Sequence, residues 1–411
     1  MTHQSSADKS AASVTSAKFG KKLYQPYIDA KWGLKNHWFP ALYSHELADG
    51  SFGSTTICGE PILLRREGAA VHAIEDRCAH RGVKISIKPH CFKKGTVTCW
   101  YHGFTYNLED GLLTTILAAP EDPLIGTLRL KTYPVQEKYG IIFLFVGDAD
   151  YAPVPPLESD LPKPLERDYK YFSPNLTDDN VINLGIRRSG NANWRLAVEN
   201  GFDPGHTLIH WKSPLIYASN RSVPLGAKPL SDKAIRFFDQ EGEPKGVMNM
   251  TVPDEDGISH YQPIFENKEL GIKAKGNSGP TFVRTSMWLP GVLRVENFPA
   301  PGISLYEWYV PTTEDKYDYW EMMTFTVNDE EQRINVIDRY DNYLKQAVFH
   351  GFNDDDVWAR DAMQPFYQNG VGFDEERLGT MDAVIVAWRK FLSTHARGIQ
   401  TPPKELGKSR R

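Results

Sequence analysis

The chain has 411 residues, 41% hydrophobic and 24% charged, and this ordinary globular composition excludes a disordered chain. A net charge of −5 disfavours binding of nucleic acid over the whole surface. No apolar run approaches the roughly 18 residues of a transmembrane helix, and the N-terminus has no apolar signal segment, so we expect a soluble cytoplasmic protein. Four cysteines are too few for a disulfide scaffold.

The elements in chain order predict two domains of the α+β class. Residues 1–20 are rich in Ser, Ala and Lys and predict a disordered tail, and residues 21–40 carry aromatic anchors that we expect to pack on the second domain. Frequent glycines then separate short strands, predicted at 54–58, 61–65, 71–75, 96–100 and 140–147. The proline-rich residues 151–156 suit a domain boundary. We therefore expect a small antiparallel β domain at 41–155 and a second domain at 156–411.

The second domain mixes strand and helix periods. Segments 285–289, 292–296, 305–310 and 318–327 predict an antiparallel sheet. Residues 329–350 predict one amphipathic helix. Its apolar side would consist of Ile334, Ile337, Tyr340, Leu344 and Val348. Two further helices are predicted at 356–367 and 382–393.

Two short segments of the first domain each combine one cysteine with one histidine. They are Cys78-Ala-His80 and, 18 residues later, Cys99-Trp-Tyr-His102. Two thiolates and two imidazoles match a zinc site or a Rieske [2Fe–2S] centre, where two Cys bind one iron and two His the other. One Cys and one His per loop favours the Rieske centre, since zinc fingers keep their Cys pair and His pair apart. Gly82 and Gly103 follow, where tight turns would bring backbone N–H groups to the sulfurs.

A second candidate metal site lies in residues 200–210, NGFDPGHTLIH. At about 100° per residue on an α-helix, His206 and His210 share one face with Asp203. Two His and one carboxylate with open positions form the facial triad of non-haem Fe(II) oxygenases. Asp203 can then accept a hydrogen bond from a ligand imidazole. It is alternatively a helix N-terminal acid, with Pro204 in the first helical position.

The carboxylate ligand must come from elsewhere in the chain. Residues 351–360, GFNDDDVWAR, contain Asp354, Asp355 and Asp356 at the start of a predicted helix. Physical reasoning takes these acids as partners of the helix dipole, with Asn353 as the N-cap. It does not choose one of the three as a metal ligand.

The segment CAHRG followed by CWYHGFTY resembles the Rieske-type non-haem iron aromatic-ring oxygenases, and the resemblance extends over nearly the whole chain. It implies a homotrimeric terminal oxygenase that uses O₂ and electrons passed from NAD(P)H through a reductase and a ferredoxin. It also implies a catalytic domain with a curved antiparallel sheet covered by helices, a helix-grip-like arrangement. The implied cofactors are a [2Fe–2S] cluster on Cys78, His80, Cys99 and His102 and a mononuclear Fe(II) on His206, His210 and Asp356. Asp203 would bridge the iron site to His102 of the neighbouring subunit.

Within this family, segments such as NWRLAVENGFDP (193–204) resemble most the carbazole-type dioxygenases. The resemblance implies angular dioxygenation of carbazole or a similar flat N-heteroarene. The alternatives are a monooxygenase of the 2-oxoquinoline type, a Rieske demethylase and a non-catalytic electron carrier. The implied substrate-binding residues are Gly201, whose carbonyl would hold a substrate N–H, and Phe298, Leu305, Thr285, Phe352 and Asn353. Asn200 and Asp203 are the catalytic candidates. Thr285 and Leu305 stand where we expect Ile and Gln, which changes the polarity and volume of the pocket.

Residues 77–102 contain six basic residues and no Asp or Glu. They are Arg77, Arg81, Lys84, Lys88, Lys93 and Lys94. A solvated hairpin face is the ordinary explanation of such a run. Because this segment contains the expected redox centre, we predict that an acidic ferredoxin docks on it.

Overall fold

The computed structural model describes residues 23–163, 173–219, 222–240, 243–249, 258–274 and 284–402. The tail predicted over residues 1–20 lies outside the described residues. Antiparallel sheets and helices together confirm the α+β class. Within the described ranges, none of the helices is long and apolar enough to cross a membrane.

The first part of the chain folds into three small antiparallel sheets, in the orders β1-β9-β8, β2-β3-β4 and β5-β6-β7. The strands are β1 (His37–Tyr43), β2 (Phe52–Ile57), β3 (Glu60–Glu67), β4 (Ala70–Glu75), β5 (Thr96–Thr98), β6 (Phe104–Asn107), β7 (Leu113–Ile116), β8 (Val135–Lys138) and β9 (Ile141–Val146). A separate apolar core that includes Leu63, Ile74 and Val97 lies beneath the segments with the Cys and His residues. Those segments lie directly after β4 and between β5 and β6.

The second part is built on a seven-stranded sheet, with the order β10-β20-β19-β18-β17-β13-β12 and every pair antiparallel. The strands are β10 (Val181–Gly190), β11 (Gly226–Pro229), β12 (Ile235–Gln240), β13 (Glu243–Asn249), β14 (Tyr261–Ile264), β15 (Glu266–Asn267), β16 (Ile272–Lys273), β17 (Arg284–Trp288), β18 (Val292–Glu296), β19 (Ile303–Thr313) and β20 (Lys316–Thr326). The four predicted strands correspond to β17–β20.

The register of β17, β18 and β19 aligns two rows of side chains across the sheet. One row is Thr285, Val295 and Leu305, and the other includes Leu293 opposite Glu307. Directly opposite residues of an antiparallel pair project from the same face. All five of these residues line one cavity.

Seven α-helices lie in the described ranges. They are α1 (Gln25–Asp29), α2 (Trp194–Phe202), α3 (Pro214–Ser219), α4 (Glu330–Arg339), α5 (Asn353–Tyr367), α6 (Gly372–Glu375) and α7 (Ala383–His395). The prediction of one α-helix that carries Asp203, His206 and His210 is wrong. The helix α2 ends at Phe202, Asp203 is extended with ψ of 120°, and His206–Lys212 forms a 3₁₀ helix.

The helix predicted over 329–350 is also different in detail. The α-helical part, α4, has no buried residue, and Ile334 is exposed. The chain then continues as a π-helix, Tyr340–His350, which buries Tyr340, Leu344 and Val348. The fully buried side therefore begins at Tyr340, and α4 contributes only the partly buried Val336 to the same core.

A buried ion-pair network connects the two ends of the described chain to α2. Arg389 on α7 donates to both carboxylate oxygens of Glu199, at 2.7 and 2.9 Å, and also pairs with Glu376. The Tyr27 hydroxyl of α1 donates to the same Glu199 carboxylate. This network holds α1 and α7 against the helix that precedes the His206 and His210 segment.

Replacing Arg389 by Met is expected to destabilise the protein by about 3–5 kcal/mol, because it leaves two buried carboxylates without their cation. Arg129→Met, which breaks the exposed ion pair with Asp110, is the matched control and is expected to destabilise the protein much less, because both charges stay in water. Chemical unfolding of the two variants measures the difference. Equal losses would show that the buried network contributes no more than a surface pair.

Candidate redox and metal centres

The structure brings the two Cys/His segments together as a pair of similar turns. The Gly82 N–H donates to the Cys78 carbonyl at 2.9 Å, and the Gly103 N–H donates to the Cys99 carbonyl at 3.0 Å. Both glycines have φ above +70°, a conformation that side chains with a Cβ rarely adopt. The glycine N–H groups therefore close the turns, and other backbone N–H groups of the same turns reach the sulfurs, as the sequence predicted.

The four side chains predicted as cluster ligands converge at the tips of these turns. Cys78 and Cys99 are buried, whereas His80 and His102 are exposed, with their Nδ1 atoms 3.1 Å apart. Backbone N–H groups of His80, Tyr101 and His102 donate to the sulfurs, and the Tyr106 hydroxyl lies 3.3 Å from the Cys78 sulfur. The hydrogen bond with Cys99 lowers the pKa of Cys78 to about 6, whereas the same hydrogen bond raises the pKa of Cys99.

A second group of metal ligands forms where the 3₁₀ helix faces the first turn of α5. The Asp356 carboxylate lies 3.3 Å from His206 Nε2 and 3.5 Å from His210 Nε2. The three ligand atoms all lie within 4.8 Å of one another. Two ligands at right angles with bonds of about 2.1 Å are about 3 Å apart, so the three side chains fit one face of a metal ion.

The neighbouring acids have other contacts. Asp354 pairs with Arg188, and Asp355 lies 3.6 Å from His210 Nδ1, on the side of the ring away from Asp356. Among the three acids that the sequence left open, the geometry therefore favours Asp356 as the ligand.

The electrostatics of Asp356 and His206 also suit a cation, whereas Asp356 and Asp355 outweigh burial at His210 and raise its pKa to about 9. Burial raises the pKa of Asp356, but His210, His206 and Arg360 outweigh burial and hold this pKa well below its ordinary value. Burial lowers the pKa of His206. Asp356 Oδ1 is buried and has no hydrogen-bond donor in the described parts of the chain. An ionised carboxylate oxygen without a donor is costly, and a bound cation would satisfy it.

The three candidate metal ligands open into a cavity between the sheet and α2, α5 and the 3₁₀ helix. Its walls include all six residues predicted to bind substrate, which are Gly201, Thr285, Phe298, Leu305, Phe352 and Asn353. Phe352 stacks on the His210 ring at a centroid distance of 3.7 Å. Mostly apolar walls with a few polar groups are typical of a pocket for a small molecule.

Comparison with known proteins shows the family. Residues 145–400 match the homotrimeric ring hydroxylases, and residues 37–134 match the Rieske [2Fe–2S] domain. The chain is 41% identical to the terminal oxygenase component of carbazole 1,9a-dioxygenase from Metapseudomonas resinovorans, over 92% of this chain and 95% of the relative. This chain belongs to the homotrimeric ring hydroxylases. The resemblance found in the sequence is therefore confirmed, and the cofactors of the chain are a Rieske [2Fe–2S] cluster and a non-haem iron.

Two solved structures extend the comparison. A component of 2-oxoquinoline 8-monooxygenase has a TM-score of 0.87 and 45% identity, over 93% of this chain and 91% of that chain. The reduced complex between oxygenase and ferredoxin in carbazole 1,9a-dioxygenase has a TM-score of 0.83 and 39% identity, over 93% of this chain and 94% of that chain. The whole two-part architecture of this ring hydroxylase is thus shared with both.

Asp203 of this ring hydroxylase contacts His206 differently from the prediction. The main-chain carbonyl of Asp203, and not its carboxylate, accepts the hydrogen bond from His206 Nδ1. The carboxylate instead accepts from the Gly205 N–H at 2.6 Å and lines the cavity, half-buried. Asp203 thus fixes the ring orientation of His206 through its backbone and keeps one carboxylate oxygen for another partner.

Two other predicted site residues, Asn200 and Asn353, form hydrogen bonds with neighbouring protein side chains. Asn200 does not line the cavity, and its Oδ1 accepts from Arg360 Nε at 2.5 Å, which connects α2 to α5. Asn353 is not the N-cap of α5. Its buried amide donates to Glu307, Tyr319 and Glu321 at 2.9–3.2 Å. We therefore describe Asn200 as a positioning residue for the segments that carry the metal ligands.

Sequence reasoning missed Glu307 and Arg360, which also line the cavity. Glu307 is buried on β19, and burial raises the pKa of its carboxyl group. Its neighbours in the strand are aromatic or apolar (LYEWYV), and an acid in such a run is the signal that was available.

The basic hairpin of this ring hydroxylase is exposed around the two histidines of the first site. Arg77 pairs with Glu75 at 2.9 Å, so one of the six charges is locally compensated. Arg81, Lys84, Lys88, Lys93 and Lys94 are exposed. Five exposed positive charges therefore lie in the segment that carries the exposed His80 and His102.

Proposed function

We propose that this chain is the terminal oxygenase of a multicomponent enzyme that dioxygenates a flat nitrogen heteroarene of the carbazole type. The proposal rests on one observation. His206, His210 and Asp356, which could hold a metal ion together, line the same cavity as a set of apolar and aromatic side chains. The carbazole 1,9a-dioxygenase component, similar over most of the chain, supports the substrate class and the insertion of two oxygen atoms.

Gly201 supplies the polar contact for the ring nitrogen. It lies in the last turn of α2, where helix carbonyls lack intrahelical donors, and no donor in the described part of the chain bonds to its carbonyl oxygen. A Cβ at this position would lie 1.8 Å from the Tyr309 hydroxyl, so the site requires glycine. The free carbonyl at the cavity wall suits a substrate N–H.

The ligand assignments are part of the proposal. Cys78, His80, Cys99 and His102 hold the [2Fe–2S] cluster, and His206, His210 and Asp356 hold the mononuclear iron. With electrons from the cluster, the iron when bound activates O₂ as co-substrate. The cavity walls orient the ring and exclude water, and Asn200 and the Asp203 carbonyl hold the ligand segments in place.

The electron donor in this proposal is a ferredoxin that is itself reduced by NAD(P)H through a reductase. The oxygenase–ferredoxin complex among the similar structures supports this donor. The family to which the chain belongs supports a homotrimer, and we place it in the bacterial cytoplasm. We also propose the domain limits 41–155 and 156–411. Of the segment before residue 41, residues 37–40 lie in β1 and pair with β9 of the first domain, whereas the Leu34–Ile399 bridge supports packing of the preceding residues on the catalytic domain.

Turnover of a heteroarene panel under ¹⁸O₂ tests the function. The holoenzyme is incubated with ferredoxin, reductase and NAD(P)H, and carbazole, 2-oxoquinoline and a methoxyarene are compared. Two ¹⁸O atoms in a carbazole product support the proposal. One ¹⁸O atom in 2-oxoquinoline alone indicates the monooxygenase alternative, and loss of the methyl group indicates a demethylase. If the cluster is reduced but none of the compounds is converted, the chain is a non-catalytic electron carrier and the proposal is wrong.

Docking of the ferredoxin is expected on the basic hairpin. Raising the ionic strength from low to high is expected to lower the second-order rate of cluster reduction by about tenfold or more, because the exposed charges become screened. The charge reversals Lys93→Glu and Lys94→Glu are expected to lower the rate at low salt, whereas Lys345→Glu on the π-helix is the control. Stopped-flow absorbance measures the rate. A rate that neither salt nor the hairpin reversals change would place the donor elsewhere.

A further inference from the structure

The wall of the cavity contains one neutral side chain whose hydrogen-bonding capacity is unused. Three neutral side chains of the wall carry a hydroxyl or an amide: Thr207, Asn353 and Thr285. The Thr207 hydroxyl donates to the Pro224 carbonyl at 2.8 Å, and the Asn353 amide donates to three buried partners. Thr285 Oγ1 is buried and has no partner among the described residues.

The position of Thr285 on the sheet makes this hydroxyl unusual. Thr285 lies between Asn249 of β13 and Val295 of β18, and Val295 lies opposite Leu305, so the part of the row that continues across β18 and β19 is apolar. A buried hydroxyl without a hydrogen-bond partner is less favourable than one that is hydrogen bonded. An apolar residue in this row would avoid that cost, so the hydroxyl is explained best by a partner that arrives with the ligand.

The hydroxyl is able to reach such a partner. Threonine populates more than one staggered χ1 rotamer, and a rotation of about 120° moves the hydroxyl into the place of the methyl group or of the Cβ hydrogen. Because Oγ1 forms no hydrogen bond where it lies, this rotation breaks none. The Thr285 side chain lines the cavity, so a rotamer that turns Oγ1 toward the cavity places it against a bound ring.

We propose that Thr285 is a specificity residue whose hydroxyl donates to an acceptor atom on the rim of the substrate. The inference rests on the proposed function and narrows its substrate class: a flat heteroarene with an N–H for the Gly201 carbonyl and, in addition, a ring carbonyl or another acceptor for Thr285. A plain aromatic ring with an N–H alone fills the same cavity and leaves the hydroxyl unpaired. The site then discriminates in favour of the ring that carries the acceptor.

Matched pairs of tricyclic probes test this proposal. Acridone and acridan share the ring frame and the N–H and differ in a carbonyl, and phenanthridinone and dihydrophenanthridine differ in the same way with the carbonyl beside the nitrogen. Affinities are measured calorimetrically on the anaerobic holoenzyme. Thr285→Val keeps the shape and the β-branching but removes the hydroxyl, and Thr285→Ser restores it. The wild-type chain is expected to prefer the carbonyl probe in at least one pair.

In that pair, Thr285→Val is expected to lower the preference about tenfold, the equivalent of one hydrogen bond, and Thr285→Ser is expected to restore most of it. A preference that is the same in the wild-type chain and in Thr285→Val overturns the proposal, and so does a failure of both carbonyl probes to bind. If Thr285→Val does not fold, the wild-type chain alone decides. The proposal is overturned if that chain binds the carbonyl probe and its carbonyl-free partner equally well in both pairs. Hydroxyl-dependent binding without ¹⁸O incorporation into any probe would instead refute the proposed oxygenation and leave this inference standing.

Discussion

Asp356→Ala is expected to abolish turnover while the visible absorption of the [2Fe–2S] cluster is unchanged. The substitution removes the one anionic ligand of the group His206, His210 and Asp356, whose ligand atoms lie within 4.8 Å of one another. Without that carboxylate the two imidazoles hold a divalent ion weakly. The cluster ligands lie on separate loops of the first domain, over a core of their own, so the cluster is not affected.

Iron and acid-labile sulfide analysis measures this result directly. The wild-type chain is expected to contain the two cluster irons and one further iron, and Asp356→Ala is expected to lose only the further iron. His206→Ala and His210→Ala are expected to behave in the same way. Stoichiometric zinc without visible absorbance would refute the assignment of the Cys78 and Cys99 site as a Rieske centre.

The neighbouring acid supplies a matched control. Asp355 lies near His210 Nδ1, so Asp355→Ala removes a contact of the ligand ring and leaves the ligand itself in place. It is expected to retain the iron and to lower activity by at most about 10- to 100-fold, as the loss of such supporting contacts does. Retention of iron in Asp356→Ala together with its loss in Asp355→Ala would show that the ligand is the other acid.

The parts of the site that depend on short spacing could be predicted from the sequence. A cysteine and a histidine with one or two residues between them lie on the same turn. A carboxylate ligand from the first turn of α5 must likewise be one of the three adjacent acids there. The strands β17–β20 were predictable because their apolar residues follow the strand period. The six substrate-binding residues depended on a resemblance, since they come from five separate segments of the chain.

The error at residues 203–210 had a signal in the sequence. A proline disfavours the α conformation of the residue before it, and Asp203 precedes Pro204. The structure shows Asp203 extended, and for this reason its carbonyl turns toward His206. Pro204 was therefore a better guide to the local structure than the helical spacing of Asp203, His206 and His210.

Two other differences had no local signal. Buried positions four residues apart, as in Tyr340, Leu344 and Val348, fit both the α-helix and the π-helix, so the pattern does not distinguish them. The partners of the Asn353 amide are 32 to 46 residues distant along the chain, on β19 and β20. Only the folded sheet brings Glu307 and Glu321 to the start of α5, and an asparagine before three acids otherwise indicates a cap.

The second large effect is expected at Asp203, the residue predicted to connect the iron site to His102 of the neighbouring subunit. Its carbonyl holds His206, and its carboxylate accepts only the Gly205 N–H among the contacts within the described chain. The side chain is half-buried at the cavity wall, and His102 is exposed on the Rieske domain. An acceptor with a free oxygen and an exposed imidazole are the two halves of a hydrogen bond between subunits.

Asp203→Asn is expected to slow electron transfer from the cluster to the iron site by about 10- to 100-fold while substrate affinity changes little. Asparagine keeps the backbone carbonyl and an oxygen for the Gly205 N–H, but it removes the negative charge that the imidazole pairs with. Single-turnover stopped-flow absorbance measures reoxidation of the reduced cluster, and substrate binding is measured separately by calorimetry. Asp382→Asn, a nearby acid whose carboxylate accepts from Gly379 N–H, is the control. Full transfer rates in Asp203→Asn, or in a trimer dissociated to monomers, would show that the electrons cross by a path that does not include this carboxylate.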